Sequence, residues 1–455
     1  MEKKLMNENV NLVFNKTECV DGCFKPNADR YSKSLSEIIK CKTISEPYFF
    51  NRAEIDKLHS YIRVRYPLLV AACKWTDFDG GVMLCWEGKQ HDNPLILMSH
   101  MDVALVNGDW DKPAFSGEIS DGAVWGRGAV DTKGSLCAIF EAAESLLSEG
   151  YLPERDVYIL SSSKEEIAGD DAVHMAKWFT ENNIKPKLVI DEGGGIVDAP
   201  IGGVFGKFAM IGMIERSSAR LIIEAKSDKS STAQEKLASF VLNMKGQGLG
   251  KRDFSPETLA MFKAMVPNAK GIMKFVLKNM TIFKPIMLKL LPKLNSAAGS
   301  MLGTTLSFSS AKDDELRDML NRRGRMAVNI SGNYYYPIDN AINEFKLIAE
   351  NQGLVVKVIS KRETPRPEPL NSNGFKFVGD LAVSVFDGVT PSPFSVLGGT
   401  DARHFVGVSE SVIRFAPIYL NKQQFGSFHN LNENLNIESL VGAVKFYREA
   451  IKRFK

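Results

Sequence analysis

Five short segments place carboxylates and histidines side by side: SHMD (99–102), WGRGAVDTKG (125–134), SSKEE (162–166), VIDEGG (189–194) and SFHNLNE (427–433). Several close an apolar run that reads as a strand. A carboxylate buried alone at a strand end is costly, so three strands that each end in acid suggest a cation between them. His100 and Asp102 are two positions apart, which on an extended segment puts both on one side. One can bind metal while the other orients a neighbouring ligand. Glu165 and Glu166 are adjacent, so they point apart and can divide the work, one ligating metal and the other acting as base. For any one of these acids a plain loop or cap role is the competing reading; five such segments in one chain weigh against it. No G-x-S-x-G segment offers a serine nucleophile.

The elements that must hold these residues alternate. Residues 94–100 form an apolar run, 133–150 an amphipathic helix stopped by Gly150, and 156–163 a second strand. Residues 171–182 form a second helix, and 187–195 a third strand with a glycine-rich exit. This order argues for an α/β fold, a mostly parallel mixed sheet flanked by helices on both faces. Functional groups in such sheets collect at the carboxyl ends of the strands. After about Met210 the texture changes. SSARLIIEAKS and RGRMAVNISGNYYY (323–336) read as strands, 341–353 as a helix and 354–363 as a strand, giving a small α+β domain. The turn-rich TPRPEPLNSNG (364–374) marks a boundary, after which the α/β texture returns. The expected division is a catalytic domain at 1–211 and 363–455 with an inserted lid at 212–362.

Length and composition narrow the class. The chain has 455 residues, 44% hydrophobic and 24% charged, with 57 Lys+Arg against 54 Asp+Glu, a net +3. This is an ordinary globular composition. So small a charge gives no argument for a nucleic-acid partner. No apolar run is long enough for a transmembrane helix, and the start lacks a signal-peptide core. Cys19 and Cys23 have no second pair at zinc-site spacing, so they read as free thiols and the chain as cytoplasmic. His59, His91 and His174 read as surface or cap residues; His404 lines a pocket or serves structure.

The motifs SHMDV, GRGAVDTKG, the KEE doublet, DEGG, GGTDARHF and FHNLNE occur in the order found in the dizinc metallopeptidases that include aminoacylase, glutamate carboxypeptidase and Gly-Xaa carboxypeptidase. The chain resembles that M20-type family, most strongly over about 90–215 and 385–455. The nearest branch is that of Gly-Xaa carboxypeptidase and the N-fatty-acyl-amino-acid hydrolases. The resemblance implies two Zn²⁺, with Co²⁺ or Mn²⁺ as possible substitutes. Asp131 would bridge them, His100 and Asp191 would complete one site, and Glu166 and His429 the other. Asp102 would orient His100, and Glu165 would be the general base. Three carboxylates and a bridging hydroxide would balance the two dications. Arg403 would bind a substrate carboxylate through its fork, with Gly398 and Gly399 letting the backbone approach closely.

The lid departs from the family pattern. A family histidine that stabilises the reaction intermediate, often across a dimer, is matched by Lys229 in SDKSS (227–231). A lid Asn and Arg thirteen positions apart, which serve the substrate carboxylate, are matched by Asp318 and Ser331. Residues 271–294 are apolar with five lysines and suggest basic amphipathic helices broken near Pro285. They could pack within the lid or a dimer interface, wall an acyl chain, or touch a membrane. The expected function is zinc-dependent hydrolysis of a peptide or N-acyl amide bond next to an amino acid. The expected substrate is a small peptide or N-acyl amino acid, and a homodimer through the lid is possible. A weak or inactive relative that acts by binding is the alternative.

Overall fold

A computed structural model describes residues 14–15, 24–46, 49–245, 247–294, 299–310 and 323–455. Cys19, Cys23 and Asp318 lie outside these residues. The first part contributes helices α1 (Ala28–Ile39) and α2 (Arg52–Arg65), then strands β1 (Cys73–Phe78), β2 (Gly81–Trp86) and β3 (Gln90–Met98). Helix α3 (Lys133–Ser148), strand β4 (Arg155–Ser161), helix α4 (Asp171–Glu181) and strands β5 (Leu188–Asp191), β6 (Gly195–Asp198) and β7 (Lys207–Ile214) follow.

The elements described between 217 and 362 come next. They are β8 (Ser217–Lys226), α5 (Ala233–Met244), α6 (Pro256–Met265), α7 (Gly271–Lys278), α8 (Met280–Leu294), β9 (Thr305–Ser310), β10 (Arg323–Gly332), α9 (Ile338–Glu350) and β11 (Val355–Arg362). The chain returns through α10 (Asn373–Val385), β12 (Val389–Ser395), β13 (Ser411–Arg414), β14 (Tyr419–Leu420) and α11 (Ile437–Arg453).

A ten-stranded mixed sheet carries the first and last parts, in the order β14-β6-β7-β13-β5-β3-β4-β2-β1, with β12 paired to β7. Its centre, β13-β5-β3-β4, is parallel. The continuous apolar run in β3 is explained by cover on both faces. Leu95 and Leu97 pack with Leu136, Ile139 and Phe140 of α3, while Ile96 and Met98 pack with Met175 and Phe179 of α4. Helix α3 ends where Gly150 takes a φ of +71°, a left-handed value that favours glycine.

The smaller sheet, β9-β10-β8-β11, is wholly antiparallel. Leu221 and Ile223 of β8 pack with Phe240 of α5 and with Ile342 and Phe345 of α9, giving this sheet a core of its own. Helices α6–α8 do not join that core. Met261, Phe262, Leu277 and Met287 pack instead with Phe208, Met210 and Phe394 of the large sheet. The expected helix break near Pro285 falls at Asn279, whose backbone and side-chain N–H groups cap the carbonyl of Phe275. Pro285 lies inside α8. Among the described residues, no helix is long and apolar enough to cross a membrane.

Candidate metal centre and cleft

The parallel neighbours β5, β3 and β4 end at the same edge, so the loops that leave them converge. His100 follows β3, Glu165 and Glu166 follow β4, and Glu192 follows β5. Asp131 arrives on the loop before α3, and His429 on the loop before α11. Two groups of donors form there: His100, Asp131 and Glu192, and Asp131, Glu166 and His429. Within each group the donor atoms lie within 4.8 Å of one another, and Asp131 belongs to both. His100 Nε2 lies 3.1 Å from Asp131 Oδ1 and 3.4 Å from Glu192 Oε1. His429 Nε2 lies 3.0 Å from Asp131 Oδ2 and 3.0 Å from Glu166 Oε2.

The expectation placed Asp191 beside His100; the donor group formed there holds Glu192. Asp191 is the last residue of β5, and neighbours at a strand end project to opposite sides. Its Oδ2 accepts the Ala402 N–H at 2.8 Å, which ties it to the loop after β12. Asp102 does more than face His100. It lies 3.3 Å from His100 Nδ1, and its two oxygens accept the backbone N–H groups of Glu165 and Glu166 at 3.2 and 3.1 Å. One buried carboxylate thus positions both a histidine and the acidic doublet.

Glu433, quoted in a motif but given no role from sequence, organises the Asp131 loop. Its carboxylate accepts the backbone N–H groups of Gly128, Val130 and Asp131 at 3.0, 2.7 and 3.0 Å. It also pairs with the buried Arg127 at 2.7 Å. The motif carried the signal, since an acid that follows a histidine by four positions reaches a different partner. What it could not show is that the partner is backbone.

Crowded burial sets the electrostatics. Burial pushes Glu165 well above the usual carboxylate range and lifts Glu192 to about 8. Glu166 is raised by burial and by Asp131. Burial opposes the ionisation of Asp131 too, yet hydrogen bonds from His100 and His429 hold it below the ordinary range. Those to Asp131 and Glu166 raise His429 to about 10. Acids packed this closely need positive charge. Glu166 Oε1 is buried without a hydrogen-bond partner among the described residues, an acceptor left for a cation. With carboxylate and imidazole donors in two groups that share one aspartate, the residues fit a pair of divalent ions.

A cleft of about 750 Å³ opens between this edge and the smaller sheet, lined among others by Ile167, Arg220, Asn329, Arg362, Arg403 and His404. Arg403 is held by Glu215, Nε to Oε1 at 2.9 Å. A Cβ on Gly399 would meet the Arg403 guanidinium, so a larger residue there would make that side chain shift. Glu215 also accepts from Thr400 N at 2.7 Å and Arg414 Nε at 3.3 Å. The next residue, Arg216, reaches the other way, to Ser331 Oγ at 2.7 Å and Gly303 O at 2.8 Å. Ser331 is therefore a partner of Arg216 rather than part of the cleft wall, and Asn329, two residues earlier on β10, lines the cleft instead. Arg362, at the end of β11, was missed from sequence. Burial lowers its pKa first and the nearby charge of Arg403 next, with Glu165 acting the other way.

Lys229 is exposed in the turn beyond β8, at the opposite end of that strand from the cleft-lining Ser218–Arg220. Its own chain does not bring it to the acids. His59, expected near the surface, is buried against Trp75, ring centroids 5.5 Å apart. His91 and His174 are exposed, and His404 lines the cleft.

Fold and site together define a metallohydrolase. Residues 96–453 match the model of Peptidase family M20/M25/M40, and the chain belongs to that family. It is 27% identical over 440 residues to the probable carboxypeptidase S-like 2 of Dictyostelium discoideum, covering 92% of this chain and 84% of the relative. It is 25% identical over 380 residues to the N-fatty-acyl-amino acid synthase/hydrolase PM20D1 of Xenopus tropicalis, covering 80% and 73%. The M20 family metallo-carboxypeptidase Sso-CP2 of Sulfolobus solfataricus shares the fold, with a TM-score of 0.68 at 18% identity over 92% of this chain and 98% of that one. So does human carnosine dipeptidase 1, with 0.66 at 12% identity over 93% and 95%.

Proposed function

We propose that the chain hydrolyses a peptide or N-acyl amide bond next to an amino acid, with two zinc ions held by His100, Asp131, Glu166, Glu192 and His429. The observation that carries this reading is the pair of donor groups joined at Asp131. Bound dications polarise a carbonyl and make water acidic enough to attack at neutral pH. Asp131 lies between the two groups, and Asp102 fixes the orientation of His100. Glu165, whose backbone Asp102 also holds, takes the proton from the attacking water on its carboxylate and delivers it to the leaving nitrogen. Burial raises the proton affinity of Glu165, which suits a group that must hold that proton between the two events.

Arg403 binds the carboxylate of the substrate, and Arg362 supplies a second positive charge on the opposite wall of the cleft. These two would supply the positive charge that Asp318 and Ser331, at the positions of the family's Asn and Arg, do not bring. The proposed catalytic domain runs over 1–211 and 363–455 and the lid over 212–362, with β7 of the large sheet reaching on to Ile214 and α6–α8 packed against that sheet. The edge strand β11 exposes Val355, Val358 and Ile359, and α9 exposes Leu347. This apolar edge supports a homodimer through the lid, and a second copy is the only source that would carry Lys229 to an active site. Unpaired Cys41, Cys73, Cys85 and Cys137 suit a cytoplasmic setting.

The test is Glu165→Gln, assayed on dipeptides, N-acetyl amino acids and long-chain N-acyl amino acids with metal measured by elemental analysis. Turnover of the preferred substrate falls about 10²–10⁴-fold while the metal content stays at two equivalents. Full activity in this variant would remove Glu165 as the base, and a metal-free native protein would remove the reading altogether.

A further inference from the structure

We infer that helices α7 and α8 form a docking surface for an anionic lipid bilayer. Helix α8 is apolar on two opposite sides. Met280, Met287 and Leu291 are buried against the large sheet's cluster. On the other side Ile282 is 74% exposed, Ile286 59% and Leu290 43%. These three recur every four residues and so form one stripe. On α7, Ile272 is 81% exposed and Phe275 60%, and the Phe275 ring meets Phe283 of α8 at 5.7 Å. A helix that is apolar all round is normally buried all round. Among the described residues, nothing covers the outer stripe.

Charge identifies the occupant. Six lysines, 270, 274, 278, 284, 289 and 293, fall within 25 residues, and no Asp or Glu occurs anywhere between Glu257 and Asp313. Among the described residues, Lys284 alone of the six reaches back to an acid, Asp253 at 2.6 Å. At 100° per residue, Lys289 and Lys293 fall on the same side as Ile282, Ile286 and Leu290. A two-fold contact between copies would set this lysine cluster against itself, because an isologous interface repeats one patch on both sides. An anionic membrane surface resolves both features. The isoleucines and the phenylalanine enter the headgroup boundary, and the long lysine stems carry their charges out to the phosphates. None of this depends on the proposed chemistry of the cleft.

The experiment is co-sedimentation of the full chain with unilamellar vesicles of phosphatidylcholine alone or mixed with phosphatidylglycerol. The unaltered protein pellets with the mixed vesicles, much less with phosphatidylcholine, and less again as salt rises. Ile282→Asp with Ile286→Asp lowers vesicle partitioning at least about tenfold. Lys289→Gln with Lys293→Gln weakens it and flattens its salt dependence. Both variants change exposed side chains outside the cleft, so hydrolysis of a short soluble substrate and the thermal midpoint stay unchanged. Equal pelleting with both vesicle types, no pelleting with either, or full binding by the isoleucine variant overturns the proposal. So does a dimer, seen by light scattering, that the isoleucine variant dissociates without any vesicle binding, which would assign the surface to a second copy.

Discussion

The two walls of the cleft are built on opposite plans. On the large-sheet wall buried carboxylates hold the segments that carry the candidate site residues. Asp102 holds the Glu165 and Glu166 amides, Glu433 holds the Asp131 loop, and Glu215 holds Arg403. The smaller sheet offers strand side chains instead, Arg220, Asn329 and Arg362, set by the pleat of β8, β10 and β11. The first wall suits chemistry, which needs donors fixed to a fraction of an ångström. The second suits recognition, where a charged side chain adapts to what enters. The contrast predicts that substitutions on the large-sheet wall act on metal and turnover, and those opposite on substrate affinity.

The sharpest attempt to break this division is at the strand end where two acids compete. Glu192→Ala removes about one metal equivalent and lowers turnover by at least about 100-fold, the upper end of what loss of a mere outer partner costs. Asp191→Asn, which keeps an acceptor for the Ala402 amide, leaves both metals in place. Elemental analysis of the two variants decides the assignment, and the reverse pattern would return Asp191 to the ligand set.

Glu433→Gln comes next. It strips the counter-charge from Arg127, which is buried at 2% exposure. Breaking a buried pair costs about 3–5 kcal/mol, read as a lower denaturation midpoint together with weaker metal retention. An unchanged midpoint would mean that the loop is held by something else. Across the cleft, Arg362→Ala raises KM about tenfold for substrates with a free carboxylate, equivalent to about 1.4 kcal/mol, and leaves kcat and metal content near their original values. A matching fall in kcat would place Arg362 with the chemistry.

The smallest effect concerns pH. Burial, then Arg403, lowers His404 to about 4 from the ordinary 6.5. The unfolded chain therefore takes up this proton before the folded one does. Stability falls as pH drops from about 6.5 towards 4 and loses no more from this group below that. His404→Gln flattens this limb in urea midpoints measured across the range, and an unchanged slope would move the titration elsewhere.

The same division governs what could be read from sequence. The proposed ligands His100, Asp131, Glu166 and His429 stand in short motifs at the ends of strongly apolar runs, and the alternation of strand and helix that carries them is visible in the chain. Asp191 and Glu192 were not separable, because adjacent acids at a strand end differ only in which side the pleat turns them to. Arg362 left no local trace. It enters the cleft because β11 pairs with β8 in the smaller sheet, a contact across some 140 residues. The bond from Arg216 to Ser331 is equally invisible, because motif spacing counts residues along the chain and the two lie 115 positions apart. The helices at 271–294 were recognised as basic and amphipathic, but their attachment to the large sheet depends on Phe208, Met210 and Phe394, far off in sequence.

Glu215 and Arg216 lie between β7 of the large sheet and β8 of the smaller one, and each is bound to a different side. Swinging the smaller sheet about this crossing would pull on both sets of bonds at once. Because Arg403 shares Glu215 with that crossing, a strain on the joint between the two sheets reaches a cleft-lining guanidinium through a single carboxylate.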